Sequence, residues 1–316
     1  MPRRFVRYVW FVLAYNLFVI LWGAVVRATG SGAGCGSHWP LCNGEVVPQA
    51  PQVETMIEFT HRLTSGLAGI LVIGMVVWAV RIFPRGHMAR RGAWLSLIFI
   101  IIEGLLGAGL VLLELVGDNA SVARATAMGI HLVNTLILIG FIGLTGWWGA
   151  GGQPLRLRNQ GWTGWLLLGG VLGMMVIGAT GAIAALGNTL FPSSSLQAGL
   201  VQDFDPTAHF LIRLRIWHPI ISILLGVYLI AAANLISRWR PSSATRTAAA
   251  ALLLLFFLQL GVGTINLVLK APIALSLIHL MLADIVWLAL VFLGAAALAV
   301  DAPGTLESRQ TAAFSD

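Results

Sequence analysis

Charge is what this chain has least of. Of its 316 residues only 10% are charged, 19 Lys+Arg and 12 Asp+Glu, against about 25% in an ordinary soluble protein. So few ionic groups cannot coat a water-facing surface. This excludes a soluble enzyme, a disordered protein and an ordinary nucleic-acid module. Cysteine is nearly absent as well: two residues can close one bridge but not a disulfide framework. The apolar/polar alternation of a transmembrane barrel is also missing. What is abundant is apolar, with 58% hydrophobic residues and a mean hydropathy of +0.88. Only helices and closed barrels satisfy the backbone in lipid, so the composition predicts an all-α, polytopic membrane protein. A net charge of +7 then reflects Arg-rich loops on one side of the bilayer rather than a nucleic-acid partner.

A spanning helix needs about 20 apolar residues. Eight runs qualify: 8–28, 57–80, 93–113, 125–148, 162–186, 210–236, 247–268 and 274–299. The first follows two arginines, as a signal peptide would, but its length and the lack of a convincing cleavage site identify it as a helix. Thirteen of the nineteen basic residues fall on one side of the resulting topology: Arg3, Arg4, Arg7, Arg81, Arg85, Arg90, Arg91, Arg156, Arg158, Arg238, Arg240, Arg246 and Arg309. The positive-inside rule predicts that both termini are cytoplasmic. The other six, Arg27, Arg62, Arg124, Arg213, Arg215 and Lys270, collect at the outer helix ends.

The two halves read as a repeat. EFTHRLTSGL (58–67) opens the second span and RIWHPIISIL (215–224) the sixth. Glu103 and Gly107 on the third span correspond to Gln259 and Gly263 on the seventh, and IHL recurs at 130–132 and 278–280. This register predicts two tandem, parallel four-helix bundles, 1–155 and 156–316, divided at the polar loop near 149–161. The alignment gives Glu103 a hydrogen-bonding role in packing. Asp284 receives no role.

His61, His131, His218 and His279 each stand a turn or two inside the outer end of an even-numbered span. Polar groups within spans are costly and mark function. Four at one depth, in two repeat-related pairs, fit imidazoles that approach an iron from opposite sides of a porphyrin. No Cys, Asp or Glu completes a zinc set at either pair. Porphyrin propionates need cations, and Arg27, Arg62, Arg124, Arg213 and Arg215 are the candidates, with Arg62 and Arg215 nearest a histidine; the alternative is interfacial arginines that snorkel. Glu58, three residues before His61, shares its helix face and is the candidate catalytic carboxylate. The competing reading is a helix-start carboxylate favoured by the dipole. Cys35 and Cys42 lie in a Gly-rich loop on the oxidising side, where a disulfide is reasonable; a redox-active thiol pair is the other reading.

Together GAVVRATGSGAGCGSHWPLC (23–42), EFTHR (58–62), IHLVNT (130–135), WHP (217–219) and IHL (278–280) resemble the haem A synthases. The resemblance covers nearly the whole chain. It implies an oxidoreductase that converts the C8 methyl of haem O to a formyl group in two steps, in the plasma membrane of a prokaryote. It implies haem b as cofactor on His218 and His279, the substrate haem at His61 and His131, the family's glutamate at Glu58 and its outer cysteine pair at Cys35 and Cys42. Haem O synthase, terminal-oxidase assembly and an unidentified electron donor are the implied partners. Some members carry a second cysteine pair between the fifth and sixth spans; here loop 187–206 has none and is expected to be looser. The alternatives are a di-haem cytochrome b that transfers electrons, and a haem transporter. Histidines at one face of the membrane favour chemistry there over transfer across it.

Overall fold

The computed structural model describes residues 2–299; Arg309 and the end of the predicted second half lie outside the described residues. The chain is all-α. The helices are α1 (Pro2–Ala28), α2 (Val53–Ile82), α3 (Met88–Leu112), α4 (Val122–Gly149), α5 (Gly161–Leu190), α6 (Leu196–Phe204), α7 (Phe210–Leu214), α8 (Trp217–Trp239), α9 (Ser243–Val268) and α10 (Ile273–Leu298). Among the described residues the only β pairing is two isolated bridges, Cys42 with Glu45 and Leu155 with Ala299. Among the described residues eight segments are long and apolar enough to cross a membrane, α7 and α8 together making the sixth.

Local chemistry sets the helix ends. Ser121 and Ser242 accept from the backbone N–H of Arg124 and Thr245, capping α4 and α9. Pro84 forces Phe83 into an extended conformation and stops α2. His87 then caps α3 through the Ala89 N–H. The sixth span is not the continuous helix expected from its hydropathy. It breaks between Leu214 and Trp217, because Pro219 cannot donate to the Arg215 carbonyl four residues back and its ring crowds that carbonyl. Helix α6 was also not foreseen. Ser195 caps it through the Ala198 N–H, inside the loop expected to be loose.

Helix α1 packs on α2 and α4, and α3 on α2 and α4; α5 packs on α8 and α10, and α9 on α8 and α10. The two sets meet where α4 touches α5 and α10, and where α1 touches α10. α4 and α10 are the most buried spans. Small residues allow their close approach. A Cβ on Gly143 would lie 3.2 Å from Leu288 and Phe292, and the Trp287 indole N–H donates to the Leu136 carbonyl at 2.6 Å. That seam joins the helix that carries His131 to the one that carries His279.

Candidate haem sites

The second pair of histidines is the tighter one. His218 at the start of α8 and His279 on α10 face each other with ring centroids 6.3 Å apart and planes at 88°. Two imidazoles on opposite sides of one metal, at about 2 Å per bond, hold their centroids about 6 Å apart. Glycines on the neighbouring helices make room for both rings. A Cβ on Gly181 of α5 would come within 3.0 Å of His218, and one on Gly263 of α9 within 2.7 Å of His279. Thr180 Oγ1 lies 3.4 Å from His218 Nδ1, and Gln259 Nε2 lies 3.4 Å from His279 Nε2. Buried His279 Nδ1 has no hydrogen-bond partner. Among the described residues no group of three or more His, Cys, Asp or Glu converges. The donors come in pairs, which suits a porphyrin iron and not a tetrahedral ion. The residues therefore fit a bis-histidine haem.

The first pair is built on the same plan with a more open side. His61 on α2 is cradled by Gly23 of α1, where a Cβ would stand 3.0 Å from the ring. His131 lies on α4, which packs on α1, the helix whose Gly23 cradles His61. Buried Nδ1 atoms of both rings lack a partner. No neighbour lies within 4 Å of a Cβ on Gly107, so the sequence equivalence with Gly263 does not extend to the packing. The His131 side chain keeps 30% of its surface exposed. Its Nε2 lies 3.6 Å from Glu103, whose carboxylate accepts from Asn134 Nδ2 at 2.6 Å and from the Thr135 hydroxyl. Glu103 thus ties α3 to α4, as its alignment with Gln259 predicts, and also lines the pocket.

Glu58 is buried at 3% exposure and both its oxygens are engaged. Oε2 accepts from the Cys35 N–H at 2.8 Å, and Oε1 accepts from Arg62 Nε at 3.1 Å and Nη2 at 2.5 Å. Arg62 Nη1 donates onward to the His38 and Leu41 carbonyls, both at 2.6 Å. Cys35 and Cys42 form a disulfide, and both sulfur-bearing residues are buried rather than exposed. The loop can press on α2 because Gly34 has no side chain: a Cβ there would meet the Glu54 backbone at 2.6 Å. The Glu58–Arg62 pair lies within α2, the helix that carries His61, and holds the disulfide loop through three hydrogen bonds, from the Cys35 N–H and to the His38 and Leu41 carbonyls.

The arginines are placed unequally. Arg215 donates to Asp203 at 2.8 and 3.0 Å, to Asn188 and to the Phe191 carbonyl. It pins α6 and the end of α5, so the cysteine-free loop is tied by an ion pair. Arg124 is buried and donates to the Gly117 and Asn119 carbonyls, while its Nε finds no partner. Arg27 reaches from α1 to the Ala185 carbonyl and the Thr189 hydroxyl of α5, at 2.9 and 2.6 Å. Arg213 is exposed. Asp284 is fully buried on α10, with no partner at either oxygen. Sequence reasoning missed the glycine cradles, although Gly23 and Gly181 stand at nearly the same distance before His61 and His218. The repeat offset was the signal that could have found them.

A family model described as cytochrome oxidase assembly protein (COX15-CtaA) matches residues 6–291. A Thermus thermophilus protein named "Protoheme IX farnesyltransferase" is 51% identical over 93% of this chain and 48% of its own length. The chain therefore spans about half the length of that relative. A "Heme A synthase" of Halalkalibacterium halodurans is 37% identical over 48% of this chain and 49% of its own. One of Alkalihalophilus pseudofirmus is 48% identical over 30% and 32%. With one facing pair of histidines, a second pair on the repeat-related helices and a family match that runs nearly end to end, the chain belongs to the COX15-CtaA cytochrome oxidase assembly family.

Proposed function

We propose that this protein oxidises the C8 methyl of haem O to a formyl group, through an alcohol, and so makes haem A. The observation that carries this reading is the paired but unequal pockets. His218 and His279 are closely cradled, which suits a resident haem b. His61 and His131 have the more open side, which suits a substrate that must enter and leave. Relatives named "Heme A synthase" support the same chemistry. A bound haem b would supply one-electron redox chemistry.

The residues of the chain would do the rest. His61 and His131 hold the substrate iron and so fix the porphyrin edge that carries the methyl. Glu58, one turn from His61 and paired with Arg62, holds or passes a proton during oxidation. Arg27, Arg62, Arg124, Arg213 and Arg215 form the outer cationic rim for propionates. Arg62 and Arg215, already committed to Glu58 and Asp203, would serve through their remaining donors.

The topology proposed from Arg distribution puts both termini in the cytoplasm and the histidines near the outer face of a prokaryotic plasma membrane. The contacts within α1–α4 and within α5 and α8–α10 support two tandem four-helix units, 1–155 and 156–316. A haem O synthase is the proposed supplier of substrate, and terminal-oxidase assembly the destination of product. The double-length relative named as a farnesyltransferase supports the first partnership, since one polypeptide there contains a counterpart of this chain.

The test is haem content and extracted haem type from membranes that also make haem O. His218→Ala and His279→Ala should lose the resident haem. His61→Ala and His131→Ala should keep it and accumulate haem O. Retention of haem A production in the His61 and His131 variants would overturn the assignment.

A further inference from the structure

Arg27 stands between the two pockets. It lies one helical turn beyond Gly23, the residue that cradles His61, and so shares its helix face. Its guanidinium crosses to the Ala185 carbonyl. Ala185 in turn lies one turn beyond Gly181, the residue that cradles His218. The same side chain therefore sits just outside both histidine sites, at the contact of α1 with α5. Only Nη1 is used in these bonds; Nε and Nη2 remain to donate.

A second cation is placed beside it. Arg124, at the start of α4, adjoins Ala125, which shares one buried apolar cluster with Leu186, the neighbour of the Ala185 that Arg27 bonds. It is 4% exposed, and its Nε is buried without an acceptor. Among the described residues neither arginine is within ion-pair distance of a carboxylate; the pairs present are Arg62 with Glu58, His131 with Glu103 and Arg215 with Asp203. Asp118 lies six residues before Arg124 but outside ion-pair distance of it, and a guanidinium with an orphaned buried N–H beside a second cation is costly unless an anion completes it. Guanidinium is matched in shape to a carboxylate.

We propose that Arg27 and Arg124 form one carboxylate site shared by the two halves, filled by a porphyrin propionate from the first pocket, and that its filling shifts the redox equilibrium of the haem in the second. This rests on the reading of both histidine pairs as porphyrin sites. The physical cause is simple. An uncompensated cation near a haem favours the electron-richer, reduced state, and a carboxylate that neutralises it withdraws that bias. No bond to iron changes, and no proton is required.

The experiment is a redox titration of the haem-loaded protein, with and without zinc protoporphyrin IX in the first pocket as a redox-silent, carboxylate-bearing probe. In the wild type the probe should lower the potential of the resident haem, by up to a tenfold change in the one-electron equilibrium, about 59 mV. The dimethyl ester of the probe should bind without this shift. Arg27→Gln should start at the lower potential and respond little to the probe, while Arg27→Lys, which keeps the charge, should start near the wild type. Arg124→Gln should weaken the response. If the probe binds and Arg27→Gln behaves as the wild type, the shared site is wrong while the two-pocket reading stands. If the probe fails to bind the wild type, the two-pocket reading and the shared site both fail.

Discussion

Replacing Gly263 with alanine should dislodge His279 and empty the second pocket. The new Cβ would stand 2.7 Å from the imidazole Cε1. Carbon atoms pack at about 3.5–4.0 Å, so the ring or helix α9 has to move by about 1 Å. Helix propensity acts the other way: glycine to alanine within a helix gains up to about 1 kcal/mol. Loss of function with unchanged or improved helix stability would therefore report the ring and not the helix. Disturbing the support of a ligating histidine costs on the order of 10–100-fold in metal affinity, equivalent to about 1.4–2.8 kcal/mol. The assay is the haem-to-protein ratio after purification, with the rate of haem transfer to a scavenger protein. Gly261→Ala, on the same helix and with nothing within 4 Å of the added carbon, is the control. If Gly263→Ala held haem as tightly as Gly261→Ala and with the same absorption spectrum, then His279 would not be a ligand in this geometry.

Three further outcomes follow from the same structure. Glu58→Gln should leave the resident haem bound but stall haem O conversion, and Arg62, left half-buried without its ion-pair partner, should loosen the 35–42 loop; normal turnover would rule out the proposed role. Replacing Cys35 and Cys42 with serine opens a bridge with a sequence separation of 7, which by loop-closure entropy costs about 2–3 kcal/mol; it should lower the thermal midpoint, and unchanged turnover would exclude a redox role for the pair. His87 lies outside the spans and is held below its usual pKa of 6.5 by burial, so the unfolded chain takes up its proton first. Its cap on α3 should be fully present above about pH 6.5 and weaken as pH falls below that value. His87→Asn, which keeps a capping oxygen, should flatten that part of the pH–stability curve, and equal curves for the two proteins would refute the cap.

The spans and the matching positions of the histidines along them were legible because both are local properties. Hydropathy over about 20 residues decides whether a segment enters lipid, and a repeat puts its chemistry at equal offsets. The break before Trp217 was legible in principle from Pro219, but hydropathy alone passes over it. Helix α6 was not, since nine residues in a Ser-rich loop carry too weak a pattern to distinguish a short helix from a turn.

By itself, then, the sequence determined an eight-span helical membrane protein with four histidines at repeat-related positions, a glycine-rich loop with two cysteines and a scatter of arginines near helix ends. The tertiary structure alone decided what each arginine does. Arg62 is drawn to Glu58 and the loop, Arg215 to Asp203 and α6, and Arg27 to a helix 158 residues away. A long, flexible cation in a poorly solvated setting goes to whichever oxygen packing brings near. No local pattern encodes that neighbour. It is set by which helices touch, and by the glycines that let them come close.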